Sequence, residues 1–376
     1  MKIAGIIAEY NPFHKGHEYQ IQTLKTMGFD GTIAVMSGNF VQRADTALTD
    51  KYRRAEGAVR AGVDLVLELP LPYAVASAED FASGGIGILS ATGVLSAVCC
   101  GCESGEEKNL RQYEALRKAE ESGIIKKRMK EGLSYPAACR VGVTELGEVW
   151  SDEPNDVLAL AYRKAIDRIA PGLPLIAIER KGSYHGKSNG FESAESIRNR
   201  LALGESIEDA LPKGSYEIIN GAPYSDLSRL ERGILAYYRT VSPDELKTYY
   251  GMREGLPERI CKYAGASTLN ELHDRVKTKR FPHSAVRRAV LCGYLKIPAN
   301  LPKITYLRVL AFNEKGQEIL KEMKGKATLP ICSRLSPEMR DDSLVQAQLR
   351  GDEIFALTLP EPGKPLQDLT ETAKKV

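Results

Sequence analysis

The first apolar run, Ile3-Ala4-Gly5-Ile6-Ile7-Ala8, is continuous rather than alternating, which predicts a strand covered on both faces. Gly31 to Ser37 (GTIAVMS), Asp64 to Leu69 (DLVLEL), Ala97 to Cys102 (AVCCGC) and Pro174 to Glu179 (PLIAIE) read as four further strands. Helical stretches lie between them. Thr49 is a candidate N-cap for a helix from Asp50 to about Gly62, and further helices are expected over Ser77 to about Ser90, Glu106 to Glu131 and Asn155 to Ala170. Strands that alternate with helices predict βαβ units, hence an α/β fold built on a doubly wound parallel sheet.

The texture changes after about Leu211. Pro212, Gly214, Gly221 and Pro223 mark a connection, so a boundary is expected between residues 1–211 and 212–376. From Ser225 to about Leu295 the pattern is helical. Tyr306 to Phe312 and Thr328 to Ile331 then read as short strands around a helix from Gly316 to Met323, and the Pro-rich tail is expected to be loosely ordered. A length of 376 residues accommodates two such units. No apolar run is long enough to span a membrane, and the first strand begins straight after Lys2, which argues against a signal peptide. Seven Cys, an odd number, suggest reduced thiols and a cytoplasmic protein. Cys99, Cys100 and Cys102 read as small apolar residues that fill a buried strand.

The candidate chemistry begins where the first strand ends. Pro12 stops the strand, and His14-Lys15-Gly16-His17 follows. Histidines three apart fall on one face of a starting helix, and a helix N-terminus attracts anions. Two imidazole donors over free backbone amides would cradle a phosphate that gains charge during reaction. Gly16 leaves space where a ligand could approach the backbone. A zinc site is the alternative, but no third or fourth ligand with metal-like spacing lies nearby. A second candidate follows the polar loop Gly182 to Gly190. There Ser193-Ala194-Glu195-Ser196-Ile197-Arg198 places hydroxyls at a helix start and an Arg one turn later, again suited to phosphate.

The net charge is only +3, so any contact with nucleic acid must rest on local charge. From Arg275 through Asn313 there is no Asp or Glu. Lys277, Lys279, Arg280, Arg287 and Arg288 in this stretch are candidate RNA-binding residues, and Arg308 adds to its charge. Phe281, His283, Tyr294 and Tyr306 are interleaved with them and could stack on bases. Arg280 and Arg287 share a face if the helix is continuous.

Taken together, these motifs resemble the bacterial tRNA(Met) cytidine acetate ligases, within the HIGH-type nucleotidyltransferases. The resemblance covers nearly the whole chain. It is strongest in Gly5 through His17, Val35-Met36-Ser37-Gly38-Asn39-Phe40-Val41-Gln42-Arg43, Gly62 through Pro70, Ser134-Tyr135-Pro136-Ala137-Ala138 and Lys277-Thr278-Lys279-Arg280-Phe281. It implies a Rossmann-like domain that activates acetate with ATP as acetyl-adenylate. The acetyl group would pass to the exocyclic amine of the wobble cytidine in elongator tRNA(Met). Mg²⁺ would accompany ATP, with no protein-held metal and no protein partner implied.

The resemblance also assigns residues. Ile7, Ala8, Glu9, Tyr10, Asn11, Pro12, Phe13, His14, Lys15, Gly16, His17, Glu18, Tyr19 and Gln20 would line ATP; the two imidazoles, His14 and His17, are on chemical grounds the candidates for the α-phosphate. Gly101, Asn155 and Arg180 would contact the nucleotide, and Ser193, Ser196 and Arg198 would form the second phosphate motif. One position departs from that motif, since Glu195 stands where Thr is usual. Lys181-Gly182-Ser183-Tyr184-His185 keeps the Tyr-His of the relatives but opens differently. Two other functions share these features: a small-molecule adenylyltransferase, and an RNA-binding protein with a non-catalytic nucleotide site.

Overall fold

The computed structural model describes residues 1–180, 191–363 and 367–376. The five predicted strands form as β1 (Ile3–Ala8), β2 (Gly31–Ser37), β5 (Leu65–Leu69), β6 (Ala97–Cys102) and β7 (Leu175–Glu179). A two-stranded hairpin, β3 (Phe40–Val41) and β4 (Asp45–Thr46), follows β2. The two short strands expected in the C-terminal half form as β8 (Leu307–Phe312) and, shifted toward the C-terminus, β9 (Ile331–Cys332), and β10 (Lys374–Lys375) is added to them. The main sheet runs β10-β8-β5-β2-β1-β6-β7, with β9 also paired to β8.

Strands β1, β2, β5, β6 and β7 are mutually parallel, but β8 lies antiparallel to β5, so the sheet is mixed rather than wholly parallel. The departure has a topological reason: β8 arrives after a long helical excursion, not through the crossover that enforces parallel pairing. Residues beyond the expected boundary at 211 therefore share the first sheet. Both faces of the sheet are buried, as the continuous apolar runs predict. Ile3, Ile7, Ile33, Val35 and Leu67 pack toward the helices Ala78–Ala91 and Pro154–Ile169. Ala4, Ile6, Ala34, Met36 and Val66 pack toward Lys15–Thr26 and Lys51–Arg60.

Three helix expectations change. Asp50, not Thr49, caps Lys51–Arg60, because its Oδ1 accepts from the amides of Tyr52 (3.1 Å) and Arg53 (3.0 Å). The charged stretch is two helices, Glu106–Glu121 and Ile124–Lys130, broken at Gly123, whose φ of +76° is left-handed. The basic stretch is also interrupted: Leu269–Val276 and His283–Tyr294 are separate helices, so Arg280 and Arg287 do not lie on one continuous helix. The helical unit has its own core, built on Ile234, Tyr238, Leu246, Leu272 and Val286.

The tail is not loose over its described residues. Asp368 is fully buried, and its carboxylate lies 2.6 Å from Lys51 Nζ. Lys51 also meets Glu68 of β5 at 2.8 Å and Asp352 of the helix Ser343–Ala356 at 3.3 Å. Arg308 of β8 completes the cluster, 3.6 Å from Asp368. Two cations thus face three carboxylates. Burial, then the Asp368 charge, pushes the Asp352 carboxyl well above the usual range. Burial opposes ionisation of Asp368 too, but Lys51, the hydrogen bond from Asp352 and Arg308 outweigh it and hold Asp368 below that range. With Asp352 protonated, the buried charges balance. Removing one member strands the rest, and such losses cost about 3–5 kcal/mol. Lys51→Met is therefore expected to lower the unfolding free energy by about that amount in urea titrations; a loss below about 1 kcal/mol would show that the cluster holds little.

Candidate active site

From β1 the sheet grows one way to β2 and β5, and the other way to β6 and β7. The crevice at the carboxyl ends of β1 and β6 is thus a switch point, where open α/β sheets bind ligands. The His-x-Gly-His segment follows β1 into it. Tyr10 leaves the strand at φ +43°, and the Asn11–Pro12 peptide is cis. The loop is tied down from several sides. Asn11 Oδ1 accepts from the Leu48 amide at 2.6 Å, Phe13 O accepts from Ser215 Oγ at 2.8 Å, and the Lys15 amide donates to Ala210 O at 3.1 Å.

His14 caps the helix Lys15–Thr26 reciprocally with His17. His14 Nδ1 accepts from the Gly16 amide at 3.0 Å, and His17 Nδ1 accepts from the His14 amide at 3.2 Å. Both Nδ1 atoms being acceptors, each neutral ring carries its proton on Nε2. The rings lie 3.8 Å apart. Gly16 also makes room for His14: a Cβ there would come 2.8 Å from His14 Cε1.

Burial, then the Arg180 charge, lowers the His14 pKa to about 3. Burial, His14 and Arg180 push His17 well below its usual value. Both rings are therefore neutral donors at physiological pH, and the positive potential comes from Arg180 and the helix start.

The other expected residues gather around the same space, a cavity of about 430 Å³ lined by His14, His17, Gly101, Asn155, Arg180 and Arg198 among others. That volume lies in the usual range for small-ligand sites. Ile7, Ala8, Glu9, Tyr10, Asn11, Gly16, Tyr19, Gln20 and Ser193 also line it. Pro12, Phe13, Lys15, Glu18 and Ser196 do not; Phe13 packs in the core, and Ser196 Oγ donates to Glu192 at 2.6 Å. Ser193 caps Ala194–Ala202 by accepting from the Ser196 amide at 3.2 Å. Arg198 Nη1 donates to Asn11 O at 2.7 Å, which joins the two phosphate motifs directly. Glu195 lines the cavity and pairs with Arg43 at 2.8 Å, so its charge is partly offset. The segment Lys181 to His185 lies outside the described residues.

Sequence reasoning missed three residues here. Arg54, fully buried, donates to the carbonyls of Thr49, Glu9, Ser37 and Gly38, and so locks the ends of β1 and β2 together. Glu103 accepts from Asn155 Nδ2 and lies 3.9 Å from Arg180, which aligns two expected nucleotide contacts. Arg43 faces the phosphate motif from the β3–β4 turn. Glu103 and Arg43 gave a weak signal, each a charge at the end of a predicted strand or of a motif; Arg54, mid-helix, gave none.

The Cys99 and Cys102 thiols are pushed up to about 12 and 11, chiefly by burial, and none of the described residues form a group able to hold a metal ion.

The basic stretch divides. Lys277, Lys279 and Arg280 are exposed in the bend between two helices. Arg287 lies 3.6 Å from Asp45, and Arg288 turns inward, with Nη2 3.3 Å from Gln42 O. Arg308 belongs to the buried cluster, and Phe281 and Tyr306 are core side chains that cannot stack on bases.

A neutral imidazole pair at a helix start, facing a Ser–Arg motif across the switch point of a mostly parallel sheet, is the arrangement of a nucleotidyltransferase of the HIGH class. The family model described as HIGH Nucleotidyl Transferase matches residues 1–368. A tRNA(Met) cytidine acetate ligase of Thermosipho africanus is 34% identical over 361 residues, 89% of this chain and 85% of the relative. One from Clostridium perfringens is 32% identical, covering 96% of each. The crystal structure of Thermotoga maritima TmcAL bound with α-thio ATP superposes with a TM-score of 0.89 at 30% identity, covering 100% of this chain and 99% of that one. The chain belongs to the tRNA(Met) cytidine acetate ligase family.

Two outcomes follow from the cradle. His17→Ala is expected to lower ATP–pyrophosphate exchange about a hundredfold or more, the scale for one lost transition-state donor. The lost cap should cost only about 1 kcal/mol of stability; unchanged exchange in the folded variant would remove His17 from the reaction. The His14 pKa is depressed on folding, so its contribution to stability is fully present above pH 6.5 and is lost as pH falls toward 3. His14→Asn keeps a capping acceptor but cannot titrate. Urea midpoints between pH 6 and pH 4 should then show a pH slope shallower by about 1.4 kcal/mol per unit; an unaltered slope would mean that His14 titrates normally in the fold.

Proposed function

We propose that this chain is an ATP-dependent ligase that acetylates the exocyclic amine of the wobble cytidine in elongator tRNA(Met), with acetate as the acyl source. The observation that carries the reading is the paired phosphate motif: His14 and His17 on one side of the crevice, tied through Asn11 to Arg198 on the other. The kinship with named acetate ligases narrows it from adenylyl transfer in general to this reaction.

Acetate is ionised at neutral pH and needs no general base. One carboxylate oxygen attacks the α-phosphorus of ATP; the bond to the β-phosphate oxygen breaks, and pyrophosphate leaves with the electron pair. His14 and His17 donate to the α-phosphate oxygens as charge builds there, while Arg198 and the helix start at Ser193 receive the departing phosphates. Mg²⁺ carried by those phosphates would offset part of their charge. The cytidine N4 then attacks the acetyl carbon, AMP departs as the carbon–oxygen bond breaks, and the amine proton goes to solvent. A non-catalytic reading rested on repulsion by Glu195, and its ion pair with Arg43 weakens that argument.

The deciding experiment is ATP–pyrophosphate exchange with and without acetate, alongside incorporation of labelled acetate into tRNA. Acetate-dependent exchange and RNA labelling are expected; exchange indifferent to acetate would sink the reading. We further propose that residues 1–211 hold ATP while the helical half holds RNA, with Lys277, Lys279 and Arg280 on phosphates and Arg287 and Arg288 closer to the first unit. Reversing the charge at Lys277, Lys279 and Arg280 should weaken tRNA binding and make its salt dependence shallower by about 0.7–0.9 for each phosphate no longer neutralised, with ATP binding unchanged. A wild-type salt slope in the triple variant would reduce the stretch to a solvated surface.

A further inference from the structure

A second cavity, of about 650 Å³, lies between the β3–β4 hairpin, the helix Ala194–Ala202 and the helical half. Arg198 lines both cavities, so the two adjoin at that side chain. The second is about half apolar, and its charged lining is of mixed sign, with Asp226 and Glu231 among the carboxylates. Asp45, Arg229, His273 and Arg287 all line it, and Arg229 is held in place by the carbonyls of Tyr224 (3.2 Å) and Thr358.

His273 points to an occupant. It is only 4% exposed, yet its Nδ1 has no hydrogen-bond partner among the described residues. Buried polar atoms are normally bonded, and an orphan beside a cavity is accounted for by a ligand or a water. Burial, then Arg287 and His283, lowers the imidazole to about 4, so it is neutral and carries one donor and one acceptor. That pair of groups, next to guanidinium ions, matches a nucleotide: phosphate for the cations, a base edge for the rest.

The reaction makes a geometric demand. The attacking amine must come within about 3–3.5 Å of the acyl carbon. A base stacked in a loop cannot descend into the β1–β6 crevice, and enzymes that act on a base take it out of the stack and seat it in a pocket. We propose that the second cavity seats the unstacked wobble pyrimidine nucleotide of the RNA. Its phosphate lies against Arg229 and Arg287, His273 meets its base or ribose, and its exocyclic amine reaches past Arg198 into the nucleotide cavity once pyrophosphate has left. The inference rests on the RNA-acetylating function proposed above.

Asn270 and Ser228 are exposed residues that line this cavity, so Asn270→Trp and Ser228→Trp fill it without disturbing the core. The probe is tRNA(Met) with pyrrolo-cytidine, whose fluorescence rises on unstacking, at the wobble position. Wild-type protein should brighten it on binding. Both Trp variants should abolish most of the rise, and on unmodified tRNA(Met), which keeps the free amine, they should lower acetyl transfer about a hundredfold, as expected for a misplaced reactant. Overall tRNA affinity and acetate-dependent exchange should stay close to wild type. A full fluorescence rise with wild-type transfer in both variants would overturn the seat and leave the ligase reading standing. Absence of acetate-dependent exchange in the wild type would overturn the ligase reading instead, and the fluorescence test would still decide the seat because it needs no acetate.

Discussion

A single buried ammonium organises this molecule. Lys51 Nζ has no access to water and must find its partners inside the protein: the charges of Glu68 and Asp368, and the carboxyl of Asp352. The geometry extends beyond the charges. The Lys51 amide donates to Asn39 Oδ1 at 2.9 Å, and Asn39 Nδ2 donates to Asp352 Oδ1 at 3.0 Å. The turn after β2 is thereby fixed to the C-terminal helix, and that turn leads into the hairpin that carries Gln42 and Arg43. Buried ion clusters add little net stability compared with well-packed apolar groups, but they tolerate only one register. Apolar contacts alone would let the helix Ser343–Ala356 shift against its neighbours; a network of hydrogen bonds would not.

The same economy of placement governs the cradle. An imidazolium pair 3.8 Å apart would repel itself, and burial would penalise each charge. Neutral rings avoid both terms and still donate from Nε2. Positive potential is supplied by groups that keep their charge, Arg180 and Arg198, and by the helix amides. Arg54 holds the frame for this arrangement: by donating to four carbonyls at once, it sets the distance between the ends of β1 and β2. The donors stand ready before ATP arrives, which is what electrostatic stabilisation of a transition state requires.

Much of this was legible in the chain because it depends on short-range pattern. Continuous apolar runs located five strands of the sheet, and His14, Gly16 and His17 were visible as a motif because their geometry is set within one turn of helix. The misses share a cause. Lys51, Glu68, Asp352, Asp368 and Arg308 are ordinary charged residues until the fold brings them together, and Glu68 alone hinted at burial by sitting inside DLVLEL. The antiparallel pairing of β8 and the broken basic helix likewise depend on contacts between parts of the chain far apart in sequence or on a Pro-bearing bend, Phe281-Pro282. Phe281 and Tyr306 illustrate the reverse error: an aromatic between basic residues looks like a stacking platform, whereas each ring is needed in a small core of its own, Phe281 in the helical unit and Tyr306 beside the C-terminal helix.

The position of Asp368 has a consequence for synthesis. It bonds to a lysine 317 residues earlier in the chain. At 5–20 residues per second, a ribosome needs roughly 15–60 s to travel that distance. Lys51 can meet Glu68 early, only 17 residues on, but the remaining carboxylates do not yet exist. Throughout that interval the segment bearing the cradle has its histidines but lacks the acid that anchors the final fold. The order of translation thus separates the appearance of the catalytic motif from completion of the scaffold that holds it, and the nascent chain would spend that time without its finished nucleotide crevice.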